Sequence, residues 1–187
     1  SYEHYGGEAD LILRCISLGG GLPVCAVVGR ADVLDSGFAG FTTSGNAACC
    51  IAGFETLNEI ERLNLVEHSA IAGKYLGDKL ASTLENYEIV GDIRGLGLIQ
   101  GVDLVQDKIS KLPNREAASS IVYRCWELGL LLYYVGNSGN VLEITPPLVL
   151  TMDEIDEGTS ILNQAFNDYI DGKIDQEKVA EFSGWFV

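Results

Sequence analysis

The stretch "LRCISLGGGLPVCAVVG", residues 13–29, decides the fold. An apolar, strand-like run stops at three glycines, turns on Leu22 and Pro23, and resumes as a second apolar strand. Short runs rich in branched residues and apolar on both faces suit strands buried inside a sheet. Residues 10–16 and 24–29 are therefore expected to be interior strands whose sheet partners come from elsewhere. The glycines of "SLGGGLP" match neither a dinucleotide fingerprint nor a phosphate loop, and by themselves they indicate a tight turn.

The surrounding composition narrows the class. A chain of 187 residues, 47% of them hydrophobic, is long enough for one good-sized domain. It has no apolar run of about 18 residues, as a membrane span needs, and no charged-then-apolar leader, so the expected place is the cytoplasm. The net charge of −15, with twelve scattered Lys and Arg, argues against nucleic acid and anionic membrane as partners. The acid excess gathers in residues 151–187 and reads as a solvated helix face and tail. Cys15, Cys25, Cys49, Cys50 and Cys125 form no CxxC pair, and with only His4 and His68 they make no zinc pattern. Their apolar neighbours mark them as small core residues, and their odd number suits a reducing compartment. The chain begins at Ser1, its one methionine is Met152, and its first element reads like the middle of a sheet; it is expected to be a fragment.

Further along, Asn46 is placed to cap a helix through "AACCIAGFETLNEIERL", whose small residues imply close packing. A second amphipathic helix is expected over residues 64–86, with Leu65, His68, Ile71, Ala72, Tyr75, Leu76 and Leu80 at helical spacing. "YEIVGDIRGLGLIQGVDLV" reads as a bent antiparallel hairpin, and "NREAASSIVYRCWELG" as a helix ending at Gly129. "LLLYYV" and "NVLEIT" are two strands around the turn "GNSG". Thr151 is the expected N-cap of a last long helix, with the Asp153 and Glu154 carboxylates in its first turn, where the dipole favours them.

Taken in order, "EHYGGEADLILRCISLGGGLPVCAVVGRADVLD", "TTSGNAACCIAGFETL", "IVGDIRGLGLIQGVDLV" and "VLEITPPLVLTMDEIDEGTSIL" resemble successive segments of class III aminotransferases, the fold-type I pyridoxal-phosphate (PLP) enzymes. "LYYVGNSGNVLEITPPL" and the closing "FSGW" look most like the branch typified by α-amino-ε-caprolactam racemase and isoleucine 2-epimerase. The resemblance covers the C-terminal portion of such proteins. It implies an α/β fold: the end of a fold-type I large domain, followed by a small α+β C-terminal domain. Residues 1–50 would be the remnant of the PLP-binding domain, 51–87 connecting helices, and 88–187 the small domain with its acidic tail.

Carried over residue by residue, the resemblance also brings departures. In the family, the residue two places before the Leu–Gly–Gly run is the lysine whose amine forms an imine with PLP; here it is Ile16, and no lysine precedes Lys74. A hydrocarbon can neither attack an aldehyde nor shuttle an α-proton. Arg14, expected on the same strand face, stays protonated and is no substitute. A sequence error, a deliberate knock-out and a decayed paralogue each account for Ile16. The family's Asp for the pyridine nitrogen and its phosphate loop would lie before Ser1. Thr42, four residues before Asn46, matches the residue that reaches the cofactor phosphate of the neighbouring subunit, a task suited to a hydroxyl.

Three residues before the Pro–Pro pair, aminotransferases of this class usually carry an Arg that clamps the substrate carboxylate; here Glu143 stands there. The resembled lactam racemase has Glu at that place too, which fits a substrate whose carboxyl is locked in an amide; an exposed strand Glu is the alternative. Arg94 reads as structural, paired with Asp92 or Asp103, and of Tyr133 and Tyr134 one is expected in the core and one exposed. The implied partners are PLP, a small-molecule amine or amino acid, and a second subunit or a complementary N-terminal half. Two functions follow: part of a PLP-dependent aminotransferase or racemase acting on amino acids or amino-lactams, or a catalytically silent relative that serves for dimerisation or structure.

Overall fold

The computed structural model describes residues 2–37 and 40–183, apart from the side chains of Tyr2, Ile16 and Ser183; the end of the "FSGW" motif lies outside the described residues. Two units make up the chain, Ser1–Asn64 and Leu65–Val187. Among the described residues no helix is long and apolar enough to cross a membrane.

In the first unit, β1 (Leu11–Arg14) and β2 (Ala26–Gly29) pair antiparallel, with Leu11 opposite Gly29 and Arg14 opposite Ala26. A one-turn helix, α1 (Ala31–Leu34), follows, and then α2 (Ala47–Arg62), where the Asn46 side chain accepts from the Cys49 backbone N–H as its cap. Helix α2 packs on the hairpin loop: a methyl on Gly53 would stand 3.5 Å from Leu18 and 3.6 Å from Val24, and one on Gly20 would stand 3.1 Å from Thr56 Oγ1. The cover that both strands are expected to draw from elsewhere does not come from the described residues of this unit. Leu13 is 75% and Val28 56% exposed, and among the described residues of this unit only Gly19 and Gly53 are buried. The two-sided apolar pattern calls for cover on both faces, and the described residues of this unit leave it open.

The cysteines need a correction. Cys15, Cys25 and Cys50 are exposed and Cys49 is half-buried, because they lie in this thinly covered unit. Cys125 alone is a core residue, and burial pushes its thiol pKa up to about 12, against a smaller opposing pull from the Arg124 charge.

The second unit is a four-stranded antiparallel sheet under a layer of helices. Its strands are β3 (Val90–Leu96), β4 (Ile99–Leu104), β5 (Tyr133–Val135) and β6 (Val141–Ile144), in the order β3-β4-β6-β5. The helices are α3 (Leu65–Leu84), α4 (Arg115–Glu127), α5 (Met152–Ile170) and the short α6 (Gln176–Ser183). Alternation along β4 buries Gln100, Val102 and Leu104 and turns Ile99, Gly101 and Asp103 the other way. On the buried face Val102, Leu142, Leu80, Ile121, Ile155, Leu162 and Phe166 form one core. Caps begin the helices where the sequence places them. Asn114 accepts from the Ala117 N–H, and Thr151 forms a reciprocal capping box with Glu154. The chain divides at Asn64 and Leu65, between the two helices that the sequence reading groups as 51–87, because α3 packs its leucines into the sheet's core.

One contact sets the depth at which α3 lies on the sheet. A methyl on Gly73 would stand 2.1 Å from the carbonyl carbon of Gly97, in the β3–β4 turn. At Gly77, one helical turn on, a methyl would meet only the Gln100 side chain at 3.6 Å, ordinary van der Waals distance. Gly73→Ala is expected to lose about 1–3 kcal/mol through overpacking. Gly77→Ala is expected to gain roughly 0.5–1 kcal/mol, because alanine is the better helix former. Denaturant midpoints of the two variants against the parent check both signs.

Candidate functional site

The candidate residues are carried by separate bodies: Ile16 and Thr42 by the first unit, Glu143 by the second. Strand β1 ends at Arg14, and Ile16 opens a 3-10 turn, Ile16–Gly19, whose cap position is Cys15. The strand alternation therefore does not run on to position 16, and Arg14 and Ile16 share no strand face. The glycines close this turn: Leu18 N–H donates to Cys15 O at 3.3 Å, Gly20 N–H donates to Ser17 O at 3.3 Å, and Gly20 takes the left-handed φ of 56°. The side chain of Ile16 lies outside the described residues.

Thr42 sits exposed in the turn that leads into α2. That turn is closed from both sides, Ser44 N–H donating to Phe41 O at 2.9 Å and Phe41 N–H to Ser44 Oγ at 3.0 Å. Thr42 thus lies within a braced turn ahead of α2.

In the second unit, register places Arg94, Gly101, Glu143 and Tyr133 in one row across four strands: Arg94 opposite Gly101, Gly101 opposite Glu143, Glu143 opposite Tyr133. The neighbours Leu142 and Ile144 are buried, so this row faces away from the helices. Arg94 donates to Asp92 at 2.8 Å and to Asp103 at 3.3 Å, both of the partners the sequence offers it. Its pKa is raised chiefly by the Asp92 hydrogen bond. Glu143 is half-buried and, among the described residues, makes no hydrogen bond or ion pair. Tyr133 is 65% exposed, whereas Tyr134 packs against the core, the division the alternation predicts.

Sequence reasoning did not find the cavity at this edge of the sheet. It measures about 320 Å³ and is walled by Leu76, Leu80, Leu132, Pro146, Leu150 and Leu162, with Tyr133, Glu143 and Glu154 among its remaining lining residues. Its walls come from α3, α5 and the segments flanking β5 and β6, so no local pattern could announce it. Contacts between distant residues brace it. His68 Nε2 lies 2.9 Å from Leu150 O, and Asp156 of α5 accepts from the Tyr75 hydroxyl at 2.8 Å while pairing with Lys79 at 2.7 Å.

With this geometry in view, the comparisons identify the family. Residues 1–166 match the model of the class-III aminotransferases, and the chain belongs to that family. It is 40% identical over 187 residues to the leucine/methionine racemase of Thermococcus litoralis, covering 98% of this chain and 42% of that protein. It is 34% identical over 181 residues to the isoleucine 2-epimerase of Lentilactobacillus buchneri, covering 95% of this chain and 40% of that protein. Racemases and epimerases thus stand among its most similar relatives. Among solved structures, an aminotransferase of Bacillus anthracis superposes with a TM-score of 0.81 at 29% identity, over 89% of this chain and 40% of that one. A phospholyase from Arthrobacter, in complex with phosphoethanolamine, gives 0.83 at 28% identity, over 89% and 40%. The fold is that of the end of a fold-type I transferase large domain followed by a small α+β domain, and the chain spans about two-fifths of the length of the relatives it matches.

The brace between α3 and α5 carries a pH signature. Lys79, and after it the Tyr75 hydroxyl, hold the Asp156 carboxyl below its ordinary pKa. A carboxyl depressed in the folded state adds stability above its unfolded pKa and loses it as pH falls through the folded value. Asp156 is therefore expected to titrate below the usual carboxylate range in carbon NMR, and Lys79→Met to move its midpoint upward. An unchanged midpoint in that variant would show that the ammonium is not the cause.

Proposed function

We propose that the protein to which this chain contributes is a PLP-dependent aminotransferase or racemase acting on amino acids or amino-lactams, with Glu143 facing the substrate. The observation that carries the substrate reading is the Glu143 carboxylate itself: half-buried, without a partner among the described residues, and flanked in its row by Gly101 and Tyr133. A lone carboxylate repels a substrate carboxylate and accepts from an ammonium or amide N–H. In this reading residues 1–50 belong to the PLP-binding domain, 51–87 connect, and 88–187 form the small domain. Thr42 serves the cofactor phosphate of a neighbouring subunit, so the working unit is a homodimer or a pair with a complementary N-terminal half, in the cytoplasm.

The residues fit the cofactor only in part. Thr42 offers a hydroxyl on a braced turn, but covalent attachment has no amine to use: position 16 is isoleucine and the first lysine of the chain is Lys74, in the other unit. That observation favours a second reading, in which this chain is catalytically silent and serves for dimerisation or structure.

Two measurements separate the readings. With PLP added, the chain is expected to show no borohydride-reducible absorption band that maps to a single lysine. A chimera joining Ile16→Lys to a relative's N-terminal half is expected to exchange the α-proton of an amino-lactam, whereas Ile16→Lys in this chain alone is expected to be inactive. In the chimera, Glu143→Arg should shift preference toward free amino acids by about tenfold or more, the scale of one bidentate charged contact. A chimera that already prefers the free amino acid overturns the role given to Glu143, and exchange by the Ile16→Lys chain alone overturns the placement of the cofactor site.

A further inference from the structure

The geometry points to Cys15 and Cys25 as a redox modification site, a dithiol that low-molecular-weight disulfides of the glutathione class convert to an intrachain disulfide. Nothing in this inference depends on what the chain catalyses. The β1–β2 register pairs Leu11 with Gly29 and Arg14 with Ala26, and continuing it by one step sets Cys15 opposite Cys25. Arg30 N–H donates to Asp10 O at 3.1 Å, which makes Asp10 and Arg30 a hydrogen-bonded pair at the far end of the same ladder. Pairs alternate along an antiparallel ladder, so Cys15 and Cys25 fall on a non-hydrogen-bonded pair. There the Cα atoms come closest, about 4.5 Å apart, inside the window of about 4.4–6.8 Å that a disulfide spans.

The side chains agree with the backbone. The two sulfurs stand 3.0 Å apart, and both residues are exposed. Bond formation needs an approach to about 2.05 Å, a movement of about 1 Å at the end of a two-stranded ladder. The remaining cysteines are arranged otherwise. Cys125 is buried with its thiol pKa pushed up, and Cys49 and Cys50 are adjacent on the first turn of α2, where successive side chains diverge around the helix.

The chemistry balances as two exchanges. One cysteine thiolate attacks a sulfur of the small disulfide, forming a mixed disulfide and releasing one small thiolate. The second cysteine thiolate then attacks the protein sulfur and releases the other. The protein loses two electrons and two protons, and the small disulfide leaves as two thiols. The new bond fastens the base of the loop that carries Ile16 and the three glycines.

The test is a titration of the whole chain in glutathione buffers, quenched by alkylation and read by peptide mass. Cleavage at Arg14 and Arg30 leaves Cys15 and Cys25 on one peptide, so the bond appears as a loss of two hydrogens with no alkylation. The expected result is that this peptide oxidises at a glutathione ratio about a hundredfold or more reducing relative to the same peptide in guanidinium-denatured chain, the gain that fixed geometry gives a linked pair. Cys15→Ser and Cys25→Ser should each turn the surviving thiol into a glutathione adduct. Adducts on both cysteines of the parent chain without a cross-link, a bond from either to Cys49 or Cys50, or equal oxidation in native and denatured chain would each overturn the assignment.

Discussion

Backbone contact between Gly73 and Gly97 is the constraint on which the second unit depends. Where α3 crosses the β3–β4 turn there is no room for a Cβ, and Gln100, itself buried, donates to Gly97 O at 2.8 Å and Gly73 O at 3.3 Å. The carboxamide thereby satisfies carbonyls that the close approach shuts away from water. Leu98 N–H, on the same turn, donates to Ser69 Oγ of α3 at 3.3 Å. With the helix held at that depth, Leu76, Leu80 and Leu84 reach the buried face of the sheet and meet Val102, Leu142 and Phe166.

The two faces of that sheet then serve different ends. The inward row, Ile93, Val102, Leu142 and Tyr134, packs beneath the helices, while the outward row, Arg94, Gly101, Glu143 and Tyr133, carries charge. Gly101 leaves the middle of the outward row without a side chain, and Arg94 is occupied by Asp92 and Asp103, so Glu143 keeps its carboxylate unengaged among the described residues. A single-residue slip of β6 would bury that charge in the core, so the burial of Leu142 and Ile144 fixes the face on which Glu143 stands.

The first unit shows the opposite condition. Its hairpin leaves Leu13, Val27 and Val28 exposed, and α2 leaves Ile51 and Phe54 exposed. Its tightest glycine contact lies within the hairpin, where a methyl on Gly29 would stand 2.5 Å from Asp10 O, whereas Gly53 of α2 meets Leu18 and Val24 at ordinary van der Waals distance. Position 16 opens the 3-10 turn within this unit.

Local chemistry was enough to write much of this structure in advance. Asn46, Asn114 and Thr151 each announce a helix start because a short polar side chain caps free N–H groups within three residues, and the hairpins around Gly97 and "GNSG" follow from turn glycines between branched residues. The family was also legible, since it rests on residue identity in order. Interactions between residues far apart in the chain were not. Four of the five cysteines are not the core residues their neighbours suggest, because an apolar neighbourhood in sequence is not cover in space. The strand face that carries Arg14 ends before position 16, because the chain turns there into a 3-10 helix. The cavity beside β6, the facing of Cys15 and Cys25, and the isolation of Glu143 came only from the tertiary structure, because each depends on which strand lies opposite which and on how closely a helix approaches a turn.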